Sequence, residues 1–398
     1  MAQKIRITKS ATVPSEVKLE RYRRSPDLGP RVLFFSGGTA LRALSQEIIE
    51  YTHNSIHIMT PFDSGGSSAK IRAAFRMLAV GDIRNRLMAL ADRSLKGNPE
   101  IFELFATRLP KEAPEAELCA RLTAMIRGKD RLMAAVPDPM RKIIRNHLQF
   151  FLDKMPADFD LRGASIGNLI LTGGFFNQQR HIDPVIYLFT RLVEARGTVR
   201  PVVNRDAHLA ARLADGSVLV GQHLITGKES EPIASPVADV WITNDPADPK
   251  PMELPIRAKI SKLITSAELI CYPMGSFYSS IIANLLPQGV GESVSRADCP
   301  KIYVPNTGRD PEMKGLTVAG AVSELFRRLD AGCDAPAPRD RLLNFVLVDS
   351  RNGDYNGPIE VQKIRRFGVE VIDAELITPQ SAPYLDHTLV LRHLLSLT

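Results

Sequence analysis

Residues 31–39 read Arg-Val-Leu-Phe-Phe-Ser-Gly-Gly-Thr, an apolar run that ends in two glycines and a threonine. Such a run is typical of a buried strand, and residues 40–51 then place their apolar side chains on one helical face. The same order returns at 55–68, Ser-Ile-His-Ile-Met-Thr-Pro-Phe-Asp-Ser-Gly-Gly-Ser-Ser, before a helical pattern over 69–78. Two consecutive strand–loop–helix units predict parallel strands joined by right-handed crossovers.

Most of the remaining chain continues this alternation. Strands are expected at 198–203, 207–213, 217–221, 238–243, 269–272, 301–305, 342–349 and 369–372, and helices at 183–194, 256–266, 278–286 and 316–329. The pattern predicts a three-layer, Rossmann-like α/β domain with a mostly parallel sheet. The exception is Asp215-Gly216, a two-residue hairpin signal that predicts a β-hairpin arm, either an antiparallel edge or a dimer arm.

Two segments stand apart from this α/β pattern. Residues 1–30 are interpreted as an N-terminal arm with a candidate strand at 5–8, and residues 31–398 as the domain itself. Within the domain, residues 86–160 are charged, poor in β-branched runs and divided by prolines, which predicts a helical insertion. The insertion either covers part of a crevice at the sheet edge or serves only in packing.

The composition narrows the class of partner. The 398 residues carry a formal net charge of +7, which fits a small anionic ligand as well as nucleic acid. Nucleic acid is the weaker interpretation, because there is one Trp, aromatic residues make up 6%, and no basic run is interleaved with aromatics.

The cysteines and the lengths of the apolar runs indicate the cellular compartment in which the protein is expected. Cys119, Cys271, Cys299 and Cys333 form no C-x-x-C pair, which argues against a zinc site and a disulfide framework. The start of the chain lacks a signal-peptide pattern, and no apolar run approaches membrane-spanning length. We therefore expect a soluble, cytoplasmic protein that binds neither nucleic acid nor membrane.

Three predicted strands end in small residues, which allow backbone N–H groups to approach an anion closely. The residues in question are Gly37, Gly38, Thr39, Gly65, Gly66, Ser67, Ser68, Gly275 and Ser276. Because the carboxyl ends of parallel strands meet at one edge, we expect these loops to form a single phosphate-binding crevice. Taken singly, each loop is also compatible with an ordinary tight turn or a flexible surface loop.

Polar side chains near these loops are further candidates. Asp63 lies where a metal or a ribose hydroxyl could be held, and Asp82 either acts at the site or caps a helix. Arg84 is either a phosphate ligand or a surface residue. Asn168, which follows Gly167, and Asn306 begin loops, where an amide can bind a base or sugar or simply satisfy a turn.

Several familiar motifs are missing from the sequence. G-x-x-x-x-G-K-[ST] does not occur, which argues against a P-loop NTPase, and neither does G-x-S-x-G. His53 and His57 are four residues apart but flank a turn and a strand, so they do not form a helical zinc pair.

Seven blocks, taken in order, resemble the 2-phospho-L-lactate transferase-like (CofD-like) family, which includes a gluconeogenesis-factor branch that binds UDP-sugars. The blocks are Ser36-Gly-Gly-Thr-Ala, Phe62-Asp-Ser-Gly-Gly-Ser-Ser, Gly81-Asp-Ile-Arg-Asn, Ser165-Ile-Gly-Asn-Leu-Ile-Leu, Ala207-His-Leu with Asp215-Gly216 and Gly221, Pro273-Met-Gly-Ser-Phe-Tyr-Ser-Ser-Ile-Ile-Ala-Asn-Leu-Leu, and Val304-Pro-Asn-Thr. They extend from about residue 31 over nearly the whole domain. Seven blocks in one order are far more specific than any single motif.

The resemblance implies a Rossmann-like homodimer that binds a nucleoside-diphosphate-linked small molecule. In the transferase branch, a guanosine-diphosphate-linked phospholactyl group passes to a deazaflavin alcohol with the help of Mg²⁺. In the other branch a nucleotide sugar is sensed. From the resemblance we expect a transferase of phosphorus-containing groups; the alternative is a non-catalytic regulator that binds a nucleotide sugar.

The same resemblance assigns residues to roles. Asp63 and Asp82 are the expected catalytic residues, and Asp63 is the expected Mg²⁺ ligand. The residues expected to bind the ligand and its phosphates are Gly37, Gly38, Thr39, Gly65, Gly66, Ser67, Ser68, Arg84, Asn85, Gly167, Asn168, Gly275, Ser276, Tyr278, Asn284 and Asn306.

Departures from the family pattern fall at the site itself. The usual Asp-Asp pair is Asp63-Ser64 here, which removes one potential metal ligand, and a common His is Ala164. The helical stretch at 110–160 is longer than usual. These differences indicate a divergent subgroup and weaken the expectation of the standard reaction.

Overall fold

The computed structural model describes residues 10–92, 97–227, 231–333 and 335–398, so the candidate strand at 5–8 lies outside the described residues. The strands are β1 (Val32–Ser36), β2 (Ile56–Met59), β3 (Thr198–Pro201), β4 (His208–Leu213), β5 (Val218–Val220), β6 (Val237–Thr243), β7 (Leu269–Tyr272), β8 (Lys301–Tyr303), β9 (Phe345–Val348) and β10 (Glu370–Asp373). Seven of them form one sheet in the order β10-β9-β8-β7-β1-β2-β3. Every pair in that sheet is parallel, which confirms the predicted α/β architecture.

The strand order reverses direction at β1. From β1 the chain passes to β2 and β3 on one side, and later from β7 to β10 on the other. A crevice forms at such a switch point because the crossover helices leave in opposite directions, and ligands of open α/β sheets bind there. The Gly37-Gly38 turn directly follows β1 and therefore lies at this crevice.

Helices cover the sheet and form the insertion. They are α1 (Glu16–Arg24), α2 (Arg42–Ile48), α3 (Gly66–Phe75), α4 (Gly81–Ala89), α5 (Pro99–Ala106), α6 (Glu115–Ile126), α7 (Arg131–Ala135), α8 (Met140–Lys154), α9 (Ile166–Asn177), α10 (Ile182–Leu192), α11 (Gln222–Thr226), α12 (Ala258–Thr265), α13 (Ala283–Leu285), α14 (Val290–Arg296), α15 (Val318–Ala331), α16 (Val361–Arg366) and α17 (His387–Ser396). A π-helical segment, Phe277–Ile282, directly precedes α13. None of these helices combines the length and apolar character that crossing a bilayer requires.

Two hydrophobic clusters lie on the two faces of the sheet. Successive side chains of a strand point to opposite faces, and β1 divides accordingly. Val32 and Phe34 join the cluster that contains the helical insertion, whereas Leu33 and Phe35 join the cluster beneath α12 to α15. All five β1 residues are buried, as expected for the centre of a three-layer fold.

The predicted hairpin is confirmed as β4 and β5, but it belongs to a second sheet. β6, which we expected as one more strand of the βα alternation, pairs antiparallel with β4 and completes a three-stranded sheet in the order β5-β4-β6. The expectation was wrong because an apolar run indicates a strand but does not say which strand it pairs with; the register that joins β6 to β4, from His208–Thr243 to Leu213–Val237, is visible only in the fold.

Within the segment interpreted as an N-terminal arm, residues 10–30 contain α1, which packs on α17. The Ser15 N–H donates to Ser396 Oγ at 2.8 Å, and Lys18 Nζ donates to the Ser396 carbonyl at 2.9 Å. Leu19 of α1 is buried in the core. The two ends of the described chain are thus adjacent.

The described residues within 86–160 contain the end of α4 and helices α5 to α8, so the predicted helical character of this stretch is confirmed for them. α9 follows and was not predicted, because its residues from Ile166 to Phe175 are all buried and it has no polar face to give a helical period. Close packing of α8 against α9 depends on Gly173. A Cβ at that position would lie 1.8 Å from the His147 carbonyl oxygen.

Substituting Gly173→Ala should lower the free energy of unfolding by about 1–3 kcal/mol, because the added methyl forces α8 away from α9. Urea unfolding followed by circular dichroism measures the change. Asn146→Ala, at an exposed position of α8, is the control and should stay within about 0.5 kcal/mol of the parent protein. Equal stability of the two variants would contradict this packing.

Candidate active site at the sheet edge

A cleft of ≈ 740 Å³ opens at the carboxyl edge of the sheet. Its walls are the loops after β1, β2, β7 and β8, together with α11 and residues 384–387. The sequence-predicted residues that line it are Gly37, Gly38, Thr39, Asp63, Gly65, Asp82, Gly275, Ser276 and Asn306. The three small-residue loops therefore do meet at one cleft.

A second concavity of ≈ 730 Å³, which we call the bay, adjoins the cleft. Asp63 and Gly65 line both. The other sequence-predicted residues found in the bay are Gly66, Ser67, Ser68, Arg84, Asn85 and Asn168. The predicted site thus consists of two compartments that share the loop after β2, a division that the sequence analysis did not anticipate.

Three predicted site residues are buried beside these surfaces instead of lining them. Gly167 packs under Arg84, since a Cβ there would lie 2.8 Å from Arg84 Cδ. The Asn284 amide donates to the Ser36 carbonyl at 3.1 Å and so braces the end of β1. Tyr278 is buried in the core, where burial raises the pKa of its hydroxyl well above the ordinary value.

The glycines after β1 make room for polar side chains. A Cβ on Gly38 would lie 2.2 Å from Asp82 Oδ1, and a Cβ on Gly37 would lie 2.3 Å from Ser280 Oγ. Any larger residue at these positions must displace a side chain that lines the cleft. The Gly-Gly pair therefore lets the Asp82 carboxylate lie directly against the turn.

Arg86 holds this turn from below. The guanidinium is fully buried and donates to the carbonyls of Gly37 at 2.9 Å, Gly38 at 3.3 Å and Leu41 at 2.8 Å. Burial lowers the pKa of Arg86 to about 10, and the Asp82 carboxylate opposes that shift. At neutral pH the side chain is still charged, so a positive charge lies beneath the cleft and favours an anionic ligand there.

Arg72 plays the corresponding part for the loop after β2. This side chain is also buried and donates to the carbonyls of Phe62 and Asp63, both at 3.2 Å, and to the Ala207 carbonyl at 2.6 Å. It forms an ion pair with Asp206 at 3.0 Å. The Asp63 loop is thereby tied to the strand that begins the small sheet.

Ser64 stands where the family pattern has a second Asp, and it contacts a histidine. Ser64 Oγ lies 2.8 Å from His223 Nδ1, and it accepts a hydrogen bond from the backbone N–H of His223 at 3.2 Å. Asp63 Oδ1 accepts the Gly65 N–H at 3.1 Å. His223 also lines the cleft, so this substitution positions an imidazole at the wall that Asp63 shares.

The helix start after β7 is already occupied by the protein's own carboxylates. The Phe277 N–H donates to Asp310 Oδ2 at 3.0 Å, and the N–H groups of Tyr278 and Ser279 donate to Glu312 Oε2 at 2.7 and 2.8 Å. The sequence analysis expected an external anion at this third loop. These donors instead hold residues more than thirty positions later in the chain, while Gly275 and Ser276 still line the cleft.

Glu312 is an unusual carboxyl group. Complete burial, together with the nearby Asp310 carboxylate, raises its pKa to about 7, although hydrogen bonds from Ser279 and Tyr278 oppose the shift. The group therefore changes charge near neutral pH while holding the start of the helix.

Several cleft residues escaped the sequence analysis. Tyr384 and His387 come from the C-terminal segment, and His387 Nε2 lies 3.3 Å from Glu47 Oε2. Arg309, in the loop after β8, and Gln222, the first residue of α11, also line the cleft. No local pattern marks Tyr384 and His387, because they reach the cleft through the packing of α17 against α2.

The fully parallel sheet and the glycine-walled cleft at its switch point define a Rossmann-like α/β protein. The chain belongs to the family described as 2-phospho-L-lactate transferase CofD, whose family model matches residues 32–377. The resemblance found in the sequence is thereby confirmed.

Relatives and solved structures agree with this placement. The gluconeogenesis factor of Bacillus subtilis is 26% identical over 363 residues, which cover 88% of this chain and 92% of that protein. A protein of Nostoc sp. with a provisional gluconeogenesis-factor name is 29% identical over 81% of this chain, and the match spans 56% of its own length. A crystal structure of a UPF0052 family member from Bacillus halodurans shares the fold, with a TM-score of 0.66, 21% identity and coverage of 92% of this chain and 99% of that one.

Replacing Glu312→Gln should change how stability depends on pH. The folded-state pKa of about 7 lies above the ordinary value of 4.5, so between these values the folded protein holds a proton that the unfolded chain releases. The Glu312 contribution to the free energy of unfolding therefore falls as pH rises from about 4.5 to about 7 and is constant above.

Urea unfolding at a series of pH values measures this contribution as the difference between parent and variant. We expect the parent to lose stability relative to Glu312→Gln over that window. The exposed Glu375→Gln is the matched control and should show no such decline. A difference that rises with pH would contradict the assignment.

Proposed function

We propose that the cleft binds a nucleoside-diphosphate-linked small molecule, with the diphosphate at the loops after β1 and β2. The observation that carries this proposal is the convergence of the two glycine loops at one cleft, with the buried Arg86 charge beneath the turn after β1. A diphosphate is a compact anion with several acceptor oxygens, and it suits a narrow turn flanked by backbone donors.

The loop after β2 supplies a second favourable element. It leads into α3, which begins at Gly66 and runs ten residues, so the N-terminus of this helix carries partial positive charge. Its preceding residue, Gly65, lines the cleft. A phosphate placed between Gly38 and Gly65 would meet both loops.

The opposite wall offers groups for the nucleoside. Tyr384 is 62% exposed and lies at the cleft, where a ring can stack on a base. Asn306 and His387 line the same side and can exchange hydrogen bonds with a base or a sugar. This arrangement supports a nucleotide oriented with its base toward residues 384–387.

The carboxylates fit a Mg²⁺ ion held jointly with a ligand. In the part of the chain that the structure describes, no group of three or more His, Cys, Asp or Glu side chains forms a metal cluster. Mg²⁺ commonly takes one or two carboxylates and completes its shell with phosphate oxygens and water. Asp63 and Asp82, which both line the cleft, meet that requirement, and the ion would supply positive charge to the diphosphate.

With these residues we propose transfer of the phosphorus-linked group to an acceptor alcohol. The acceptor oxygen forms a bond to phosphorus, the bond between that phosphorus and the nucleotide breaks, and the acceptor proton passes to a carboxylate or to water. Arg86 and the α3 N-terminus stabilise the negative charge on the departing nucleotide. Asp63, at the junction of cleft and bay, is the carboxylate placed to take the proton.

A second candidate is binding without transfer, in the manner of a regulator. It is favoured by Ser64, which contacts His223 instead of supplying a second carboxylate beside Asp63. It also agrees with the gluconeogenesis-factor names of the relatives. Both candidates share the same nucleotide site and differ in whether the ligand is consumed.

Nucleotide binding should stabilise the protein in a thermal unfolding panel of GDP, UDP and UDP-sugars. A ligand at 100 times its Kd adds about 2.7 kcal/mol to the free energy of unfolding. Gly38→Ala should abolish the response, because its methyl would displace Asp82. Gly320→Ala, where the added methyl would lie 2.9 Å from the flexible end of Leu316 and 3.4 Å from Thr317 Oγ1, outside the cleft lining, is the control. The proposal would be wrong if none of these nucleotides raised the unfolding temperature of the parent protein.

Transfer should be visible by mass spectrometry when the protein is mixed with the guanosine-linked phospholactyl donor, a deazaflavin alcohol and Mg²⁺. Asp63→Asn should lower the rate by about 10²-fold or more, the loss typical of removing one transition-state-stabilising group. A parent protein that binds a nucleotide in the thermal panel but leaves donor and acceptor unchanged supports the regulatory candidate instead.

A further inference from the structure

The bay is lined by more positive than negative side chains. Its cationic residues are Lys70, Arg84, Arg108, Lys111 and Arg162, and its carboxylates are Asp63 and Asp160. Arg108 and Lys111 lie between α5 and α6, and Arg162 follows α8, so the helical insertion supplies much of this charge. The cleft has no comparable group of basic side chains among its lining residues.

The internal ion pairs of the bay leave positive charge uncompensated. Asp160 is engaged by Lys70 Nζ at 2.7 Å and by Arg162 Nε at 2.8 Å. Among the described residues, Arg84, Arg108 and Lys111 form no ion pair. Burial lowers the pKa of Arg84 to about 10, and repulsion from the Arg108 guanidinium adds to that shift. An anion between these two side chains would relieve the repulsion.

The side chains at the floor of the bay are buried, and not all of their polar atoms have hydrogen-bond partners. Arg84 is 6% exposed and Asn168 is 1% exposed. Arg84 donates to Ser165 Oγ and to Asn85 Oδ1, which fixes its orientation. Arg84 Nε, a donor, has no hydrogen-bond partner in the described part of the chain, and its side chain lines the bay. Buried donors normally find acceptors, so this one marks a place where the oxygen of a ligand or of water completes the set.

The start of α3 faces the same space. Gly66, Ser67 and Ser68 line the bay, and Ser67 Oγ accepts from the Asn168 amide at 3.4 Å. A phosphate group is suited to this set of donors, which comprises a helix N-terminus with two hydroxyl groups, a buried guanidinium and exposed cations.

We propose that the bay binds the phosphate group of a second small molecule, a phosphate monoester, while the cleft holds its own ligand. The two compartments are separated by the Asp63–Gly65 wall, so both can be filled at once. A monoester carries about two negative charges near neutral pH, which balances the uncompensated cations better than a single carboxylate. The bay is a site in its own right, whatever occupies the cleft.

Inorganic phosphate is the probe, and its binding to the full chain is measured by isothermal titration calorimetry at low salt. We expect saturable binding that weakens as salt is raised. Arg108→Gln with Lys111→Gln should raise the Kd by about tenfold or more, because two charge-assisted contacts are lost. Both residues are exposed, so the variant keeps the core intact. Lys111→Glu alone should also weaken binding.

Arg127→Gln with Lys129→Gln is the matched control, since it removes the same charge from exposed positions of the insertion outside the bay. It should leave the Kd within about twofold of the parent value, the size of a screened surface effect. Equal weakening by the two double variants would show a non-specific charge effect and overturn the site. Absence of phosphate binding at millimolar concentration would do the same.

A competition experiment distinguishes phosphate binding in the bay from phosphate binding at the proposed nucleotide site. Phosphate titrations are repeated with saturating GDP or UDP, and we expect the bay affinity to remain. Displacement of phosphate by either nucleotide would show that one ligand spans both compartments and would overturn simultaneous binding. If neither nucleotide binds but the variant with Arg108→Gln and Lys111→Gln still binds phosphate more weakly than the parent, the proposed nucleotide site in the cleft is wrong and the phosphate site in the bay is supported.

Discussion

The site depends on one buried cation. Arg86 lies beneath the turn after β1 and donates to the carbonyls of Gly37 and Gly38. A buried carbonyl that loses its donor costs about 1–3 kcal/mol, so the guanidinium stabilises the shape of this turn. The same guanidinium interacts with the Asp82 carboxylate, which lines the cleft. The shape of the turn and the position of a cleft carboxylate therefore depend on one buried side chain.

This arrangement explains why the strand order matters. β1 lies between β2 and β7 in the sheet. Because the three strands are parallel neighbours, the loops that follow them lie side by side at one edge. Arg72 fixes the second loop as Arg86 fixes the first. The third loop is fixed by Asp310 and Glu312, whose carboxylates take the N–H groups of the following helix. Two loops are thus held by buried cations and one by buried carboxylates.

Local patterns predicted what depends on local forces. The apolar runs of β1 and β2, the small residues after them and the Asp215-Gly216 hairpin all follow from strand burial and turn chemistry. α9 was missed because a helix buried on every side has no amphipathic period. β6 was misplaced because an apolar run does not say which strand it pairs with. Arg86 resembles any surface arginine in sequence, and only the fold reveals that it is buried. The division into cleft and bay likewise depends on how the insertion packs, which spacing along the chain does not encode.

The pairing of α1 with α17 links the two extremities of the described chain to ligand access. α17 begins at His387, a few residues after Tyr384, and both side chains form one wall of the cleft. The bonds from Ser15 and Lys18 hold the far end of that helix. Proteolytic cleavage in the stretch between α1 and β1 would therefore be expected to loosen a cleft wall that is remote from the cut in sequence.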